Sequence, residues 1–455
     1  MSHVHLRFSV LGALCLCGCV LAPKGLDDEQ KALSSEDREW SKPIEERSLP
    51  ELSSEPTIEE LLRRAELANP ELERAWQEWR GALARVTFES SWPDTSLSLS
   101  LEQMFPGGLS FDRTTLGLAF DPMLTLPSKV AARGKLAFEE ARTAGERFRA
   151  LRVDLRLRVR VAWQELWLAE QQAEAQEELV ALLALRKSAA ETSVAAGDSP
   201  RELLKLEFET RLRDDEKFRM RVDVGSRKAR LNALLARASD APLAIPAAPL
   251  PPRALPADDA QLFAAAARLD PQLAVLAMEL AGREDALEVA RKRFLPDLSP
   301  MASISGDDTQ SLGLAIGIPL NLPGLRAGLE EARAAIAAIA AEQRGRKLDS
   351  AAELTSELLA FREAERTLDC CENLIEPLAQ RIAASSEASY AAGTLMQREW
   401  LEALAMQSEA RIAVAEARAQ REIALARIEA LLGGDLTLIE TQAQQAAAHK
   451  EAHHG

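Results

Sequence analysis

Few residues of this 455-residue chain have the types and spacing that enzyme chemistry requires. Its five histidines are mostly terminal, which leaves little scope for acid–base catalysis. The sequence contains no phosphate-binding loop, no glycine-rich dinucleotide turn, no zinc-binding histidine pair and no nucleophile elbow. We therefore predict that the protein is not an enzyme and has no catalytic residues, no metal site and no cofactor.

Outside the N-terminal segment the sequence has two cysteines, the adjacent Cys370 and Cys371. Neighbouring residues on one helix cannot adopt ordinary disulfide geometry. A soft-metal site would need more thiolates at ligand spacing, so the two side chains are interpreted as small apolar helix residues.

The N-terminus has the pattern of an export signal. Arg7 precedes the apolar run from Phe8 to Leu16, which is too short to span a bilayer. Leu16-Cys17-Gly18-Cys19 resembles the bacterial lipobox, in which the cysteine after the cleavage site is acylated. We predict a signal peptide at 1–18 and an acylated N-terminal tail at 19–55, with Cys19 as the lipid anchor. A plain secretory signal is the alternative.

The composition is typical of long helices and coiled coils. Alanine, leucine, arginine and glutamate dominate, and aromatic residues make up only 4% of the chain. The formal charge of −16 excludes a general nucleic-acid partner, because neutralising phosphates requires a basic surface.

The chain contains an internal repeat. Asn69-Pro70 recurs as Asp270-Pro271, and Ala195-Ala196-Gly197 recurs as Ala391-Ala392-Gly393, each roughly 200 residues later. We predict a first repeat at 56–240, a Pro-rich linker at 241–256, a second repeat at 257–434 and a disordered polar tail at 435–455.

Each repeat begins with a helical segment and continues with two strands. In the first repeat the helix runs from the capping box Thr57-x-x-Glu60 to about Phe88. Apolar and small polar residues then alternate in four segments, at 95–101, 115–120, 298–305 and 311–318. An open sheet with one apolar face is unstable in water and in lipid, so we expect several subunits to close a barrel. A soluble hairpin pair packed on helices is the alternative.

Long helices follow the strands. The first is predicted from Ser128 to Ala195, roughly 100 Å in length, with a return helix at 200–237. Two apolar seams on the long helix predict neighbours on both sides. The second repeat has helical segments at 258–294, 325–392 and 397–432, and Pro377 is expected to kink the middle one.

This order of elements resembles the TolC-type outer-membrane efflux family from about Pro56 to Gly434. The segments Phe120–Pro127 and Gly317–Pro323 are similar to the strand-to-helix junctions of its CzcC/CusC-like heavy-metal branch. The resemblance implies a mainly α fold with a small membrane β part. Duplicated long helical hairpins would form a trimeric α-barrel, and four β-strands per subunit would complete a trimeric β-barrel.

The resemblance also implies functional residues. Gly197, Asp198, Gly393 and Thr394 lie at the turns that match the family's periplasmic tips, where a membrane-fusion adaptor docks; simple helix caps are the alternative. Glu399 and Glu402 match acidic residues that ring the pore entrance, and Tyr390 matches a tyrosine that helps close it; a solvated helix face is the alternative. Leu395 stands where some members carry a basic latch residue.

The implied function is that of a passive exit duct. A homotrimer, lipid-anchored in the outer membrane with a periplasmic helical barrel, would receive metal cations or drugs from an inner-membrane RND-type or ABC transporter through a periplasmic adaptor. One alternative is the outer-membrane duct of a type I protein-secretion system. The other is a periplasmic coiled-coil adaptor, which the duplicated strands before each long helix disfavour.

Overall fold

The computed structural model describes residues 20–434, apart from 44–45, 54, 93–96, 101–116, 121–124, 197–198, 246–252, 256–257 and 306–308. The predicted signal peptide, Cys19 and the predicted polar tail at 435–455 therefore lie outside the described residues. Within the described part of the chain, no helix has both the length and the apolarity needed to cross a membrane.

After a first helix, α1, the described elements repeat one order. The first series is α1 (Leu26–Ser35), α2 (Ile58–Ala68), α3 (Pro70–Glu89), β1 (Leu97–Ser100), β2 (Gly117–Phe120), α4 (Pro127–Ala195) and α5 (Arg201–Leu234). The second is α6 (Asp259–Leu269), α7 (Pro271–Lys292), β3 (Asp297–Ser305), β4 (Thr309–Gly317), α8 (Leu322–Cys370), a π-helical turn (Cys371–Ile375), α9 (Glu376–Ala391) and α10 (Gln397–Leu431).

The opening helical segment of each repeat is divided in two, so the prediction of one continuous helix was wrong. Thr57 caps α2 as expected, because its side chain accepts a hydrogen bond from the Glu60 N–H at 3.3 Å. The break falls at Asn69, whose ψ of 122° is extended. Pro70 causes it, since a proline disfavours helical geometry in the preceding residue. Pro271 has the same effect on Asp270, whose ψ is 117°.

The long helix α4 confirms the prediction almost to the residue. It begins at Pro127, a favourable first helical residue because proline has no N–H to satisfy there. The first predicted seam is buried throughout; its members are Leu155, Val159, Ala162, Leu166, Ala169 and Ala173. In the second predicted seam Gln164 is buried, and the other members are half-buried; they are Leu157, Val161 and Leu168. The helix therefore has neighbours on two sides.

The expected irregularity at Pro377 takes the form of the π-helical turn at Cys371–Ile375. Proline has no N–H to donate and its ring collides with the carbonyl group four residues earlier. One wider turn directly before the proline relieves this collision and lets the helical path continue into α9.

The strands form two antiparallel hairpins. β1 pairs with β2, with Leu97 opposite Phe120, and β3 pairs with β4, with Asp297 opposite Gly317. β2 also lies beside β3. The predicted alternation of faces concerns side chains that are mostly outside the described set.

The chain divides into two compact units. The first comprises Met1–Ser41, Arg74–Arg149 and Gln272–Arg346, and the second comprises Lys42–Glu73, Ala150–Pro271 and Lys347–Gly455. Aromatic side chains fill the first unit: Phe148 packs edge-on against Trp40 at 5.7 Å and stacks on Trp79 at 5.8 Å between ring centroids. Trp40, in the segment that precedes α2, is therefore packed into the core of this unit.

The core of the second unit joins α6, α8 and α10. Its fully buried leucines and isoleucine are Leu262, Leu354, Leu425 and Ile428. Arg253, in the predicted linker, contacts this core's helix α10, because it forms ion pairs with Glu422 at 3.4 Å and Glu429 at 3.0 Å.

Candidate functional site

The residues predicted at the lipid anchor and the first turn, Cys19, Gly197 and Asp198, lie outside the described residues. The chain just after Cys19 is nevertheless located. Leu21 donates its backbone N–H to the Ser90 carbonyl oxygen at 2.9 Å, directly after the end of α3. The mature N-terminus predicted from the sequence would thus begin where the first helical segment leads into the strands.

The second turn is a tight helix reversal between α9 and α10. Gly393 has a φ of +75°, a conformation that L side chains rarely adopt, although nothing lies within 4 Å of a Cβ built there. The Gly393 N–H donates to the Tyr390 carbonyl at 2.9 Å, and the Thr394 N–H donates to the Ser389 carbonyl at 3.0 Å. This pair of bonds is the Schellman motif, which ends helices with a glycine at this position.

The acidic pair after this turn is exposed. Glu399 and Glu402 both lie near the start of α10. Arg398 donates to the Glu402 carboxylate at 2.8 Å, and this hydrogen bond, followed by the charges of Glu402 and Glu399, raises the pKa of the Arg398 guanidinium. The sequence-based prediction missed this basic partner, although the spacing of four residues is the usual one for a helical ion pair.

Tyr390 lies in an aromatic cluster that bridges the turn. Its ring stacks on the ring of Trp400, with centroids 5.6 Å apart. The guanidinium carbon of Arg186 on α4 lies 4.2 Å from the Tyr390 centroid and 3.4 Å from the Trp400 centroid. Neither Arg186 nor Trp400 was singled out from the sequence.

Polar contacts show which long helices of the second unit lie next to each other. Arg221 on α5 donates to Glu170 and Glu177 on α4 at 2.5 and 2.8 Å. Gln172 on α4 donates to Glu416 on α10 at 2.9 Å, and Arg418 on α10 donates to Glu372 in the π-helical turn at 2.7 Å. α4 and α10 are therefore the inner helices of a row, and α5 and the α8–α9 segment are the outer ones.

Both outer helices expose apolar side chains. On α5 we call this set the α5 stripe; it consists of Leu204, Phe208, Leu212, Phe218 and Val222. It lies on the side of the helix opposite the buried residues Leu206, Val224 and Leu231, as the helical period requires. The α8–α9 stripe consists of Leu348, Leu359, Leu374, Leu378 and Ile382. Because all ten are exposed, the two stripes do not cover each other within one chain.

The two outer helices differ in charge. α5 carries ten basic and seven acidic residues, a net charge of +3. The segment from Lys347 to Ala391 carries four basic and nine acidic residues, a net charge of −5. In a chain whose net charge is −16, a positively charged helix is a local exception.

No group of three or more His, Cys, Asp or Glu side chains among the described residues is placed to hold a metal ion. Cys370 is exposed and Cys371 is buried, and both are free. Burial, and then the neighbouring Cys370 and Glu372, raise the pKa of the Cys371 thiol, so it stays protonated at neutral pH.

Comparison with known proteins agrees with this geometry. Residues 262–434 match the family described as outer membrane efflux protein. A search of curated proteins finds no match. Among solved structures, the outer membrane protein VceC from Vibrio cholerae is similar, with a TM-score of 0.69, 17% identity, and 83% of this chain and 96% of that chain covered.

Two further channels have the same TM-score. The open state of the MtrE outer membrane channel from Neisseria gonorrhoeae is 16% identical, with 83% of this chain and 89% of that chain covered. CusC, described as undergoing conformational changes on transmembrane channel formation, is 16% identical, with 85% and 96% covered. The chain has the fold of these outer-membrane channels. This channel fold extends over most of the chain, whereas the CzcC/CusC-like branch is not specifically supported, since CusC is no more similar than MtrE.

Proposed function

We propose that this chain is the outer-membrane channel component of a tripartite efflux system, a passive duct and not an enzyme. The observation that carries the proposal is the match of residues 262–434 to the outer membrane efflux proteins, within an efflux-channel fold that extends over most of the chain. Substrates would be delivered by an inner-membrane RND-type or ABC transporter through a periplasmic adaptor.

The homotrimer is supported by the two outer helices of the second unit. The α5 stripe and the α8–α9 stripe are different surfaces, so contact between them is head-to-tail, and repetition of that contact closes a ring when the rotation permits. Their charges are complementary, +3 against −5. A ring of three copies, with a trimeric α-barrel and a trimeric β-barrel, is what the resemblance implies.

Membrane attachment is proposed at Cys19, after removal of a signal peptide at 1–18. The hydrogen bond from Leu21 to Ser90 supports this position, because it holds the chain two residues after Cys19 at the junction from which the first hairpin departs. A lipid anchor there would lie next to strands that enter the same outer membrane. The acylated tail at 19–55, the repeats at 56–240 and 257–434, and the polar tail stay predictions.

Metal cations or drugs are the proposed cargo. The preference for metal cations rests on the junctions Phe120–Pro127 and Gly317–Pro323. Cargo in such a duct would pass the acidic pair Glu399 and Glu402. In a trimer the three pairs would form one narrow ring of six carboxylates, which would concentrate cations.

Adaptor docking is tested by replacing both turns, at 196–198 and 392–394, with those of an unrelated homologue. Export should be abolished while trimers still form, and unaltered export would contradict docking at these turns. The channel function itself is tested with the purified full chain in planar lipid bilayers. A trimeric, membrane-inserted protein without measurable conductance, in the presence and absence of its adaptor, would refute the duct.

A further inference from the structure

A groove of mixed charge lies between α4 and α7, at the ends of these helices that are nearest the strands. α4 begins shortly after β2, and α7 ends shortly before β3. The groove is open to solvent and has a volume of about 610 Å³, within the range of about 300–1,000 Å³ that is usual for small-molecule sites. Its lining includes the small residues Ala131 and Ala132 and the charged residues Lys135, Asp285, Glu288 and Lys292.

The groove presents two cations and two anions. Lys135 on α4 donates to the Asp285 carboxylate on α7 at 2.8 Å, and this hydrogen bond, followed by the charge of Asp285, raises the pKa of the Lys135 ammonium group. Lys292 lies 3.2 Å from the Glu288 carboxylate, and Arg291 lies 3.8 Å from the other oxygen of Glu288. Since the charges of the four lining side chains sum to zero, the groove does not select an ion of one sign.

The ion pairs of the groove can be exchanged for contacts with a ligand. The side chain of Lys135 is 64% exposed and that of Glu288 is 45% exposed. Exposed ion pairs contribute little stability, because water competes for both partners. A ligand that carries both a phosphate and an ammonium group can insert between lysine and carboxylate, and every charge then keeps a partner of opposite sign. A ligand with a phosphate alone would be repelled by Glu288, so the groove favours a zwitterion.

Apolar side chains lie between the groove and β3. Phe294 and Leu295 follow directly after the end of α7, and both are partly exposed. Lys129 on α4 fixes this segment, because it donates to the Leu295 carbonyl oxygen at 2.7 Å and to the Asp297 carboxylate at 2.8 Å. Under the proposed function β3 enters the outer membrane. The groove would then lie at the periplasmic surface of that membrane, where lipid headgroups are found, with the two apolar side chains on its membrane side.

We propose that this groove binds the headgroup of phosphatidylethanolamine, with the phosphate at Lys135 and Lys292 and the ammonium group at Glu288. The position of the groove at a membrane rests on the proposed function, whereas its charge pattern does not. A primary ammonium group can donate hydrogen bonds to a carboxylate. The quaternary ammonium group of phosphatidylcholine cannot, and such groups are recognised by aromatic side chains, which the described lining residues do not include.

The groove is tested by native mass spectrometry of the full chain in mild detergent, with phosphatidylethanolamine or phosphatidylglycerol added. Wild type should prefer phosphatidylethanolamine. Lys292→Ala should lower the affinity for both lipids about two- to five-fold, the factor expected for one exposed ion pair. Glu288→Gln should lower the affinity for phosphatidylethanolamine but raise that for phosphatidylglycerol, because the carboxylate that repels an anion is gone. Arg283→Ala and Glu284→Gln, at exposed positions of α7 outside the groove lining, are the matched controls and should leave both affinities unchanged.

Unchanged affinities in both groove variants would overturn the site. A change of the same sign for the two lipids in Glu288→Gln, or displacement of phosphatidylethanolamine by inorganic phosphate, would overturn the preference for a zwitterion. Lipid binding is measured independently of conduction. A conducting channel whose variants all bind lipid like wild type would therefore overturn the groove alone, and a chain that shows the expected binding pattern but no conductance would contradict the duct alone.

Discussion

The α5 stripe should contribute directly to assembly, and Phe208 is the residue that tests this most sharply. Its side chain is 73% exposed in the single chain. Full burial of a phenylalanine side chain is worth about 1.5–3 kcal/mol, so covering the exposed part should contribute about 1–2 kcal/mol per interface. Three interfaces in a ring give about 3–6 kcal/mol, which shifts the concentration of half-dissociation by about ten- to a hundred-fold.

The perturbation is Phe208→Ser, which removes this apolar surface from an exposed helix position. The assay is the trimer fraction over a dilution series in mild detergent, measured by light scattering after size exclusion. Phe88→Ser is the matched control, because Phe88 has the same residue type and the same exposure of 73% but lies on α3, outside both stripes. Leu359→Ser on the α8–α9 stripe should weaken assembly in the same way.

A head-to-tail contact also predicts how a mixture of these variants assembles. In a mixture of the two variants, the intact α8–α9 stripe of a Phe208→Ser chain can contact the intact α5 stripe of a Leu359→Ser chain. The mixture should therefore form dimers that neither variant forms alone. Equal concentrations of half-dissociation for Phe208→Ser and wild type would refute the assignment of the α5 stripe to the subunit interface. Absence of dimers in the mixture, with both single variants weakened, would refute the pairing of the two stripes.

Three further predictions concern the acidic pair and the first unit. Glu399→Gln combined with Glu402→Gln should reduce cation selectivity and block by trivalent cations in planar bilayers, while the trimer yield stays unchanged. Arg398→Ala removes the hydrogen-bond partner of Glu402 and should increase cation selectivity. Identical currents in wild type, the double variant and Arg398→Ala would show that the pair is ordinary surface charge. Burial, partly opposed by Arg149 and Arg142, raises the pKa of the Glu29 carboxyl above its ordinary value of 4.5. The folded state therefore binds a proton more tightly than the unfolded state, and the stability falls as the pH rises from 4.5 through the raised pKa. Glu29→Gln should therefore raise the melting temperature at pH 7 but not at pH 4, and equal changes at both would contradict this reasoning. Gly145→Ala should lower stability by about 1–3 kcal/mol in denaturant titrations, because its Cβ would lie 2.9 Å from the Trp79 ring. Gly81→Ala, with nothing within 4 Å of the added Cβ, is the control and should raise it slightly; destabilisation of both would contradict the steric argument.

Local sequence signals predicted the helices well and the tertiary contacts poorly. Pro127 and Ala195 delimit α4 because proline starts a helix and the apolar seams persist between these positions. The breaks at Asn69 and Asp270 were equally local, since each precedes a proline, but the apolar periodicity on both sides concealed them.

The candidate site shows the limit of such signals. Gly393 could be placed at a turn because a helix reversal needs a positive φ, and the structure has it at +75°. Arg186 could not be connected with Trp400, because the two are more than two hundred residues apart and the chain has 55 lysines and arginines with no feature that distinguishes this one. Contact between distant segments depends on how the hairpins pack, which periodicity within each helix does not specify.

The burial along α10 explains why the turn end of this helix should depend on the Arg186 contact. From Arg398 to Gln407 the buried side chains are those of Trp400 and Ala403, whereas from Ala424 to Leu432 they include Leu425, Ile428 and Leu432. Local opening is easiest where few apolar contacts hold a segment, so the turn end of α10 is its least stable part. The ion pairs of Arg411 and Arg418 lie between these two regions and limit how far an opening could extend. Loss of the Arg186 contact should therefore loosen the turn without reducing the stability of the whole unit, since the core around Leu425 is far from it.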